Sequence, residues 1–270
     1  MPKTHSGLFV KVVGVGVVLM LLAVAVGLQG RGDVDVSAQR VSSKGELVWG
    51  EERSRTVASS KLLERRVAAV PDGAGGAIVV FEVEWTTGER AGDTDIFAQR
   101  MDSEGRLLWH KGERSVFVAF SELRERSPIV VPDGAGGAIV VFEVEWPRGT
   151  KHAGDIDIFA QRVSGDGKLV WGEEQSVPVA SSPSIERAPT AVSDGDGGAI
   201  IFFELVAREG DRAGDVEIAA QRLSKDGKLL WLEGKRSVLT AFSSWGERAP
   251  VALPDGKGGA FVFFEMHEPK

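Results

Sequence analysis

The sequence predicts an all-β fold, a four-bladed β-propeller whose blades are four-stranded antiparallel sheets. Three observations support this prediction. Asp-Gly pairs recur every 61 residues, at Asp72, Asp133, Asp194 and Asp255. Tryptophans recur at nearly the same spacing, at Trp49, Trp109, Trp171 and Trp231. The segments between these markers have the hydrophobic patterns of strands, and a repeat of this length built from strands is typical of propeller blades.

Each repeat predicts four strands, as its third copy shows. Residues 187–192 form a first strand that ends at the Asp194 turn. Residues 199–203 are apolar without alternation, which indicates a strand buried on both faces. In residues 215–223, apolar and polar residues alternate more closely than in 199–203, as they do in a half-buried strand. A glycine-containing turn at 225–227 then leads into a fourth strand at Trp231.

The two ends of the chain predict how the ring closes. Residues 32–40 match the third strand of a blade, and residues 262–265 match a second strand. We expect the terminal halves to share one blade, because this pairing removes both open sheet edges. The alternative is a dimer in which two chains build one eight-bladed ring. Because the two termini together match the length of an internal loop, we expect the monomeric ring.

The N-terminal segment predicts export. Lys3 and Lys11 precede an uncharged run over 12–28, which contains the small-x-small sequence at 23–25. This pattern is typical of a secretory signal peptide, and it is also nearly long enough for an uncleaved membrane anchor. The predicted domains are a leader at 1–28 and a propeller of four repeats at 29–270. We expect an extracytoplasmic protein, either secreted or periplasmic, that is anchored to the membrane if the leader is retained.

The amino-acid composition limits the classes of binding partner that we expect. The net charge of −7 disfavours a nucleic-acid partner, which needs basic patches. The chain has no cysteine, so packing without disulfides must hold the domain together. The expected partner is an extracytoplasmic protein or a glycan.

Residues 98–109 resemble the tryptophan-docking motif of quinoprotein-like propellers, in which a small residue, a glycine and a tryptophan recur in each blade. The glycine-to-tryptophan step of four occurs in all copies, at Gly45/Trp49, Gly105/Trp109, Gly167/Trp171 and Gly227/Trp231. This resemblance implies tryptophans packed between blades, without a quinone cofactor. Residues 32–267 also resemble uncharacterised exported bacterial propellers whose blades combine a Gly-Gly-Ala-Ile-Val-Val strand with an Asp-Ile-x-Ala-Gln-Arg strand. That resemblance implies fold and export, and no activity.

Repeated charges predict a structural network. Glutamates recur in the second strands, at Glu82, Glu143, Glu204 and Glu265. Arginines recur in the third strands, at Arg40, Arg100, Arg162 and Arg222. Glu-Arg pairs begin at Glu125, Glu186 and Glu247. Ionised groups in buried strands need partners, so we expect salt bridges from blade to blade. The repetition favours this structural role over a catalytic pair, because an active site needs one copy that differs.

The sequence does not identify a catalytic residue. The histidines lie at non-equivalent positions, and the loop at Asp194 lacks the bidentate Glu of an EF-hand, so we expect no metal and no cofactor. We expect a non-catalytic binding or scaffold module; the alternative is a glycan- or polymer-acting hydrolase with an acidic active site. The loop over 147–152 departs most from the repeat. Candidate ligand-binding residues are Arg148, Lys151, His152, Arg90 and Arg212.

Overall fold

The computed structural model describes residues 8–10, 18–23, 33–50, 54–147, 152–172 and 176–268. At 8–10 and 18–23 only the backbone is described. The described chain is a series of antiparallel β-sheets, joined in sequence order and interrupted only by single 3-10 turns at Trp109–Gly112 and Trp231–Gly234. No helix of these residues is long and apolar enough to span a membrane.

The sheets are consecutive meanders. The first contains β1 (Leu8–Val10), β2 (Val18–Ala23), β3 (Val36–Val41) and β4 (Arg55–Ala58). The second contains β5 (Leu63–Pro71), β6 (Ala77–Glu84), β7 (Thr94–Met101) and β8 (Val116–Ala119). The third contains β9 (Arg124–Pro132), β10 (Ala138–Glu145), β11 (Ile156–Val163) and β12 (Val177–Ala180). The fourth contains β13 (Ile185–Ser193), β14 (Ala199–Val206), β15 (Val216–Leu223) and β16 (Val238–Ala241). A two-stranded sheet follows, of β17 (Gly246–Pro254) and β18 (Ala260–His267).

The predictions of an all-β propeller and of four-stranded blades are confirmed.

The second strand of each blade is the core of the fold. Ile78 and Val80 of β6 belong to a hydrophobic cluster shared with the third sheet. Val79 and Phe81, which point the opposite way, belong to a cluster shared with the first sheet. Side chains alternate along a strand, so an unbroken apolar run covers both faces. The uninterrupted apolar pattern of these strands therefore reflects packing between two neighbouring blades.

Three of the four repeated tryptophans reach into the next sheet. Their indole Nε1 groups donate to backbone carbonyls in that sheet's turn between third and fourth strands: Trp49 to Ser103 (3.0 Å), Trp109 to Gly165 (3.0 Å) and Trp171 to Lys225 (2.9 Å). The same turn provides a glycine beneath the ring. A Cβ at Gly167 would lie 2.8 Å from Cγ of Trp109, so a larger residue there would displace the indole. Trp231 lies half-buried in the fourth sheet.

The repeated charges are paired, but with partners other than those expected. The third-strand arginines bind the aspartates of the Asp-Gly turns in their own sheets: Arg100 to Asp72 (2.8 Å), Arg162 to Asp133 (2.8 Å) and Arg222 to Asp194 (3.0 Å). The second-strand glutamates bind first-strand arginines: Glu82 to Arg65 (3.3 Å), Glu143 to Arg126 (3.2 Å) and Glu204 to Arg187 (2.9 Å). They also accept backbone N–H groups of the following sheet, from Ser127, Ala188 and Ala249 respectively. These salt bridges therefore lie within one sheet, and the carboxylate-to-backbone bonds join that sheet to the next. Arg40 donates to the carbonyl of Ser103, and Glu265 contacts His267.

The expected shared blade is not among the strand pairings of the described residues. We expected β17 and β18 to complete the sheet of β3 and β4, but the edge of β3 is paired with β2. The run of β2, Val-Leu-Met-Leu-Leu-Ala, is apolar throughout and so suits a second-strand position. Within the part of the chain that the structure describes, β17 and β18 pair only with each other.

We predict that Trp109→Ala lowers the free energy of unfolding by ~3–5 kcal/mol, the usual loss for a large buried aromatic side chain. Trp245→Ala is the control, because Trp245 is 42% exposed whereas Trp109 is 3% exposed. Urea unfolding followed by circular dichroism measures both losses. Small and equal losses would show that the indole of Trp109 does not hold adjacent sheets together.

Candidate active site

An acidic motif recurs where adjacent sheets meet. Two acidic residues at or just before the start of a third strand lie near a glutamate at the start of the next sheet's first strand. These strands run side by side in parallel, as the Val34–Leu63 bridge shows. The four sets are Asp33, Asp35 and Glu64; Asp93, Asp95 and Glu125; Asp155, Asp157 and Glu186; and Asp215, Glu217 and Glu247. We call them the first to fourth junctions.

At the second junction an arginine neutralises the acids. Arg90 Nη2 lies 2.5 Å from Asp93 Oδ2 and 2.7 Å from Asp95 Oδ1. Its guanidinium also stacks over Phe120, with Cζ 4.1 Å from the ring centroid. Trp85 Nε1 donates to the other oxygen of Asp95. Both carboxylate oxygens of Asp95 are therefore engaged, and the junction is a closed ion-pair cluster.

The fourth junction has the same arrangement. Arg212 aligns with Arg90, and its Nε lies 3.1 Å from Asp215 Oδ2. A second guanidinium nitrogen of Arg212 binds Glu217. An arginine of the preceding hairpin loop thus neutralises the acidic pair in two of the four junctions.

The third junction differs because His152 stands where the arginine would be. Its Nδ1 lies 3.9 Å from Asp155 Oδ2, and Arg208 Nη1 lies 3.8 Å from Asp155 Oδ1. Both distances exceed that of a hydrogen bond. His152 also packs against Trp146, with ring centroids 4.9 Å apart. The third junction therefore lacks the guanidinium that closes the second and the fourth.

Asp157 retains one carboxylate oxygen without a donor. Its Oδ2 accepts hydrogen bonds from Trp146 Nε1 (2.7 Å) and Ser181 Oγ (3.1 Å). In the described part of the chain, no group donates to Oδ1. Asp155, Asp157 and Glu186 are all buried, and one oxygen of each lies within 4.8 Å of the other two. The junction thus places this buried oxygen beside two further carboxyl groups, and a hydrogen bond between Asp157 and Glu186 contributes to the raised pKa of Glu186.

Glu186 is the proton donor of this set. Burial is the largest cause that raises its pKa, from 4.5 to about 8, and the charges of Asp157 and Asp155 act in the same direction. A hydrogen bond of 2.5 Å from Ser182 Oγ opposes the rise. Burial also raises the pKa of Asp155. At neutral pH the third junction therefore contains a protonated carboxyl group next to acidic acceptors, a combination that acid–base catalysis requires.

The same three carboxyl groups could hold a metal ion, since oxygen ligands suit Ca²⁺ and Mg²⁺. A carboxyl group that keeps its proton to about pH 8 is a poor metal ligand, because ligands bind in deprotonated form. The chemistry of the donor set therefore favours proton transfer. The absence of a cofactor and of a metal stays a prediction.

The expected ligand-binding residues fall into three groups. Arg90 and Arg212 are engaged in the ion pairs of the second and fourth junctions. His152 lies beside Asp155. Arg148 and Lys151 lie outside the described residues. Of these candidates, the structure brings only His152 to the third junction.

Glu125 at the second junction resembles Glu186, since burial raises its pKa to about 8 as well. It also lines a cleft of about 770 Å³ between the second and third sheets, together with Phe117 and Phe120. Its neighbour Asp95, however, is held by Arg90 and Trp85. The second junction therefore has the proton donor without an acceptor that is free to react.

Sequence analysis missed the acids of the third junction. Glu186 was interpreted as part of a structural network, and Asp155 and Asp157 were not singled out. A signal was present: His152 stands at the position where the second and fourth copies carry Arg90 and Arg212. The loop over 147–152 was correctly noted as the main departure from the repeat.

No protein-family model and no curated protein sequence matches this chain. Among solved structures, it is similar to an ulvan lyase, a polysaccharide lyase, with 13% identity, a TM-score of 0.51, and coverage of 85% of this chain and 59% of that chain. It is also similar to the endo-arabinase of Bacteroides thetaiotaomicron, with 15% identity, coverage of 97% and 89%, and a TM-score of 0.46. For the levansucrase of Bacillus subtilis the identity is 11%, the coverage 94% and 75%, and the TM-score 0.49. At these identities the likeness shows the fold. The chain spans less than two thirds of the ulvan lyase.

The expectation of a non-catalytic binding or scaffold module is wrong. The third junction contains a buried acidic triad, and the ulvan lyase, whose fold this chain shares, is a polysaccharide lyase. The repetition of the charges misled the sequence interpretation, because it hid how the junctions differ. The likeness to tryptophan-docking propellers stays a prediction.

We predict that the free energy of unfolding falls as pH rises from about 4.5 to about 8, partly because of Glu186. Its pKa is higher in the folded than in the unfolded state, so folding is favoured while the group is protonated and this contribution is lost as pH rises through the folded pKa. Urea unfolding at pH 5 and pH 9 measures the change. Glu186→Gln, which cannot ionise, is expected to reduce it.

Glu122→Gln is the matched control for this experiment, because Glu122 is exposed to solvent and belongs to none of the four junctions. This variant should keep the full pH dependence of the wild type. An unchanged pH dependence in Glu186→Gln would contradict the raised pKa of Glu186.

Proposed function

We propose that this protein is an exported enzyme that hydrolyses a glycan at the third junction. The observation that carries the proposal is the pair of buried carboxyl groups, Glu186 with a raised pKa and Asp157, whose charge contributes to that rise. The uncharged N-terminal run supports a site of action outside the cytoplasm. The fold shared with a polysaccharide lyase supports a glycan as the substrate class.

The roles of the two carboxyl groups follow from their surroundings. Glu186 donates its proton to the glycosidic oxygen as the bond breaks, while Asp157 Oδ1 attacks the anomeric carbon. The sugar is then bound to Asp157, and the deprotonated Glu186 takes a proton from the water that releases it. Asp155, beside both groups, favours the protonated form of Glu186 through its charge.

The spacing of the acids favours retention of anomeric configuration. One oxygen of Asp157 and one of Glu186 lie within 4.8 Å of each other. Retaining glycosidases place their carboxyl groups about 5–5.5 Å apart, whereas inverting enzymes leave about 6.5–9.5 Å for a water molecule.

His152 and Arg208 form the entrance to the site in this proposal. Both side chains face Asp155, and they are 41% and 37% exposed, while Asp155 itself is buried. A sugar would reach the acids between these two side chains. The replacement of arginine by histidine at 152 leaves this route without a guanidinium bound to the acids.

We predict that Glu186→Gln and Asp157→Asn each lower kcat by at least about 10²-fold, the lower end of the effect of a general acid or base. Glu125→Gln at the second junction is the matched control and should retain activity. Release of reducing ends from a panel of soluble polysaccharides measures the rates, and NMR of the first products should show retained configuration.

Two results would contradict the proposal. Activity that survives in Glu186→Gln but is lost in Glu125→Gln would move the site to the second junction. Products with unsaturated uronate ends, detected by ultraviolet absorbance, would show elimination and reject hydrolysis.

We also predict that His152→Arg abolishes hydrolysis while the protein stays folded. The new guanidinium should bind Asp155 and Asp157, as Arg90 binds Asp93 and Asp95. His152→Gln, which cannot form these ion pairs, is the control and should keep most of the activity. Full activity in His152→Arg would show that the missing arginine is irrelevant to function.

A further inference from the structure

The last sheet has an uncovered apolar face and an unpaired edge. Phe261 and Phe263 of β18 are 60% and 57% exposed. Their counterparts in the second sheet, Ile78 and Val80, are fully buried. In that sheet a third strand, β7, pairs with the edge that β18 leaves open. The last sheet is therefore half of a blade, without its third and fourth strands.

The first sheet supplies strands of the missing type. In the complete blades the second and third strands pair in one register, with Ala77 opposite Met101 and Ala138 opposite Val163. By the repeat, the same register would place Ala260 opposite Val41. In the structure, Val41 lies opposite Val18 of β2. Strand β2 therefore occupies on β3 the register position of β18, residue for residue.

We infer that β2 and β18 compete for the same edge of β3, and that β18 pairs with β3 when the segment before β3 leaves the domain. The strands that cover the open face and edge of β18 are thus β3 and β4 of the same chain. The inference rests on the proposal that residues 1–28 are a leader, whether it is cleaved or inserted in a membrane.

Burial explains why the exchange is favourable. Val79 and Phe81 of the second sheet pack in one cluster with Val36, Ala38 and Val57 of the first sheet, and in that sheet β2 is paired with the edge of β3. By register, Leu19 and Leu21 take the places of Phe261 and Phe263. Loss of β2 would leave a strand edge and an apolar surface open, and both are unfavourable in water. Pairing of β18 with β3 would close them and cover its own exposed phenylalanines.

The test uses cysteine pairs, because the native chain has no cysteine. The full chain carries a specific protease site within 24–32, so that the leader can be removed after folding. Val41→Cys is combined with Val18→Cys to detect β2 on β3, or with Ala260→Cys to detect β18 on β3. Directly opposed residues of antiparallel strands lie within the Cα distance that a disulfide allows. Ala138→Cys with Val163→Cys, which repeats the same residue types in the third sheet, is the positive control.

We expect the 18–41 disulfide to form in the intact chain, and the 41–260 disulfide to form within one chain only after proteolysis. The control pair should form in both states. A 41–260 disulfide between two chains would show that a second copy covers the edge, and would overturn closure within the chain. Failure of the 41–260 disulfide to form at all after cleavage would also overturn closure within the chain.

A second measurement needs no cysteines. Hydrogen exchange at the amides of β18 should slow after proteolysis of the chain that carries only the protease site, because these amides gain strand partners. Amides of β10, which is paired on both sides, provide the reference. Unchanged exchange in β18 would overturn the inference even where a cysteine variant fails to fold.

Discussion

The structure depends on the two-sided burial of its second strands. Residues 77–81, 138–142 and 199–203 of these strands are apolar without interruption, so a blade can be stable only with another blade on either side. The tryptophan contacts, the carboxylate-to-backbone bonds and the acidic junctions all lie at the boundaries that this requirement creates. The same requirement explains why the half-blade at the C-terminal end is unsatisfied, and why an apolar N-terminal run is placed against β3.

Much of the fold could be predicted from the sequence, because the information is local and repeated. The 61-residue period, the apolar run at 199–203 and the glycine turns define strands and blades without knowledge of distant contacts. Closure was harder to predict. The hydrophobic pattern of Val18–Ala23 is compatible with a leader and with a second strand, and pattern alone does not choose between them.

The site was harder still, because its residues are common to every repeat. Glu125 and Glu186 have the same sequence context and the same raised pKa, and they differ only in what faces the neighbouring aspartate. That difference comes from a residue in another hairpin loop, where Arg90 is matched by His152. Repetition correctly indicates a structural role for the motif, but a single substitution in one copy can change the chemistry of that copy.

The seating of Trp109 and Trp171 on a glycine of the next sheet has a consequence for how such chains change in evolution. Each of these two tryptophans has its glycine one repeat later, at Gly167 and Gly227. Duplication or loss of a whole repeat by recombination therefore leaves each indole with a glycine to rest on. The number of blades can therefore change by whole repeats. A change in length of a few residues within a repeat would instead separate a tryptophan from its glycine.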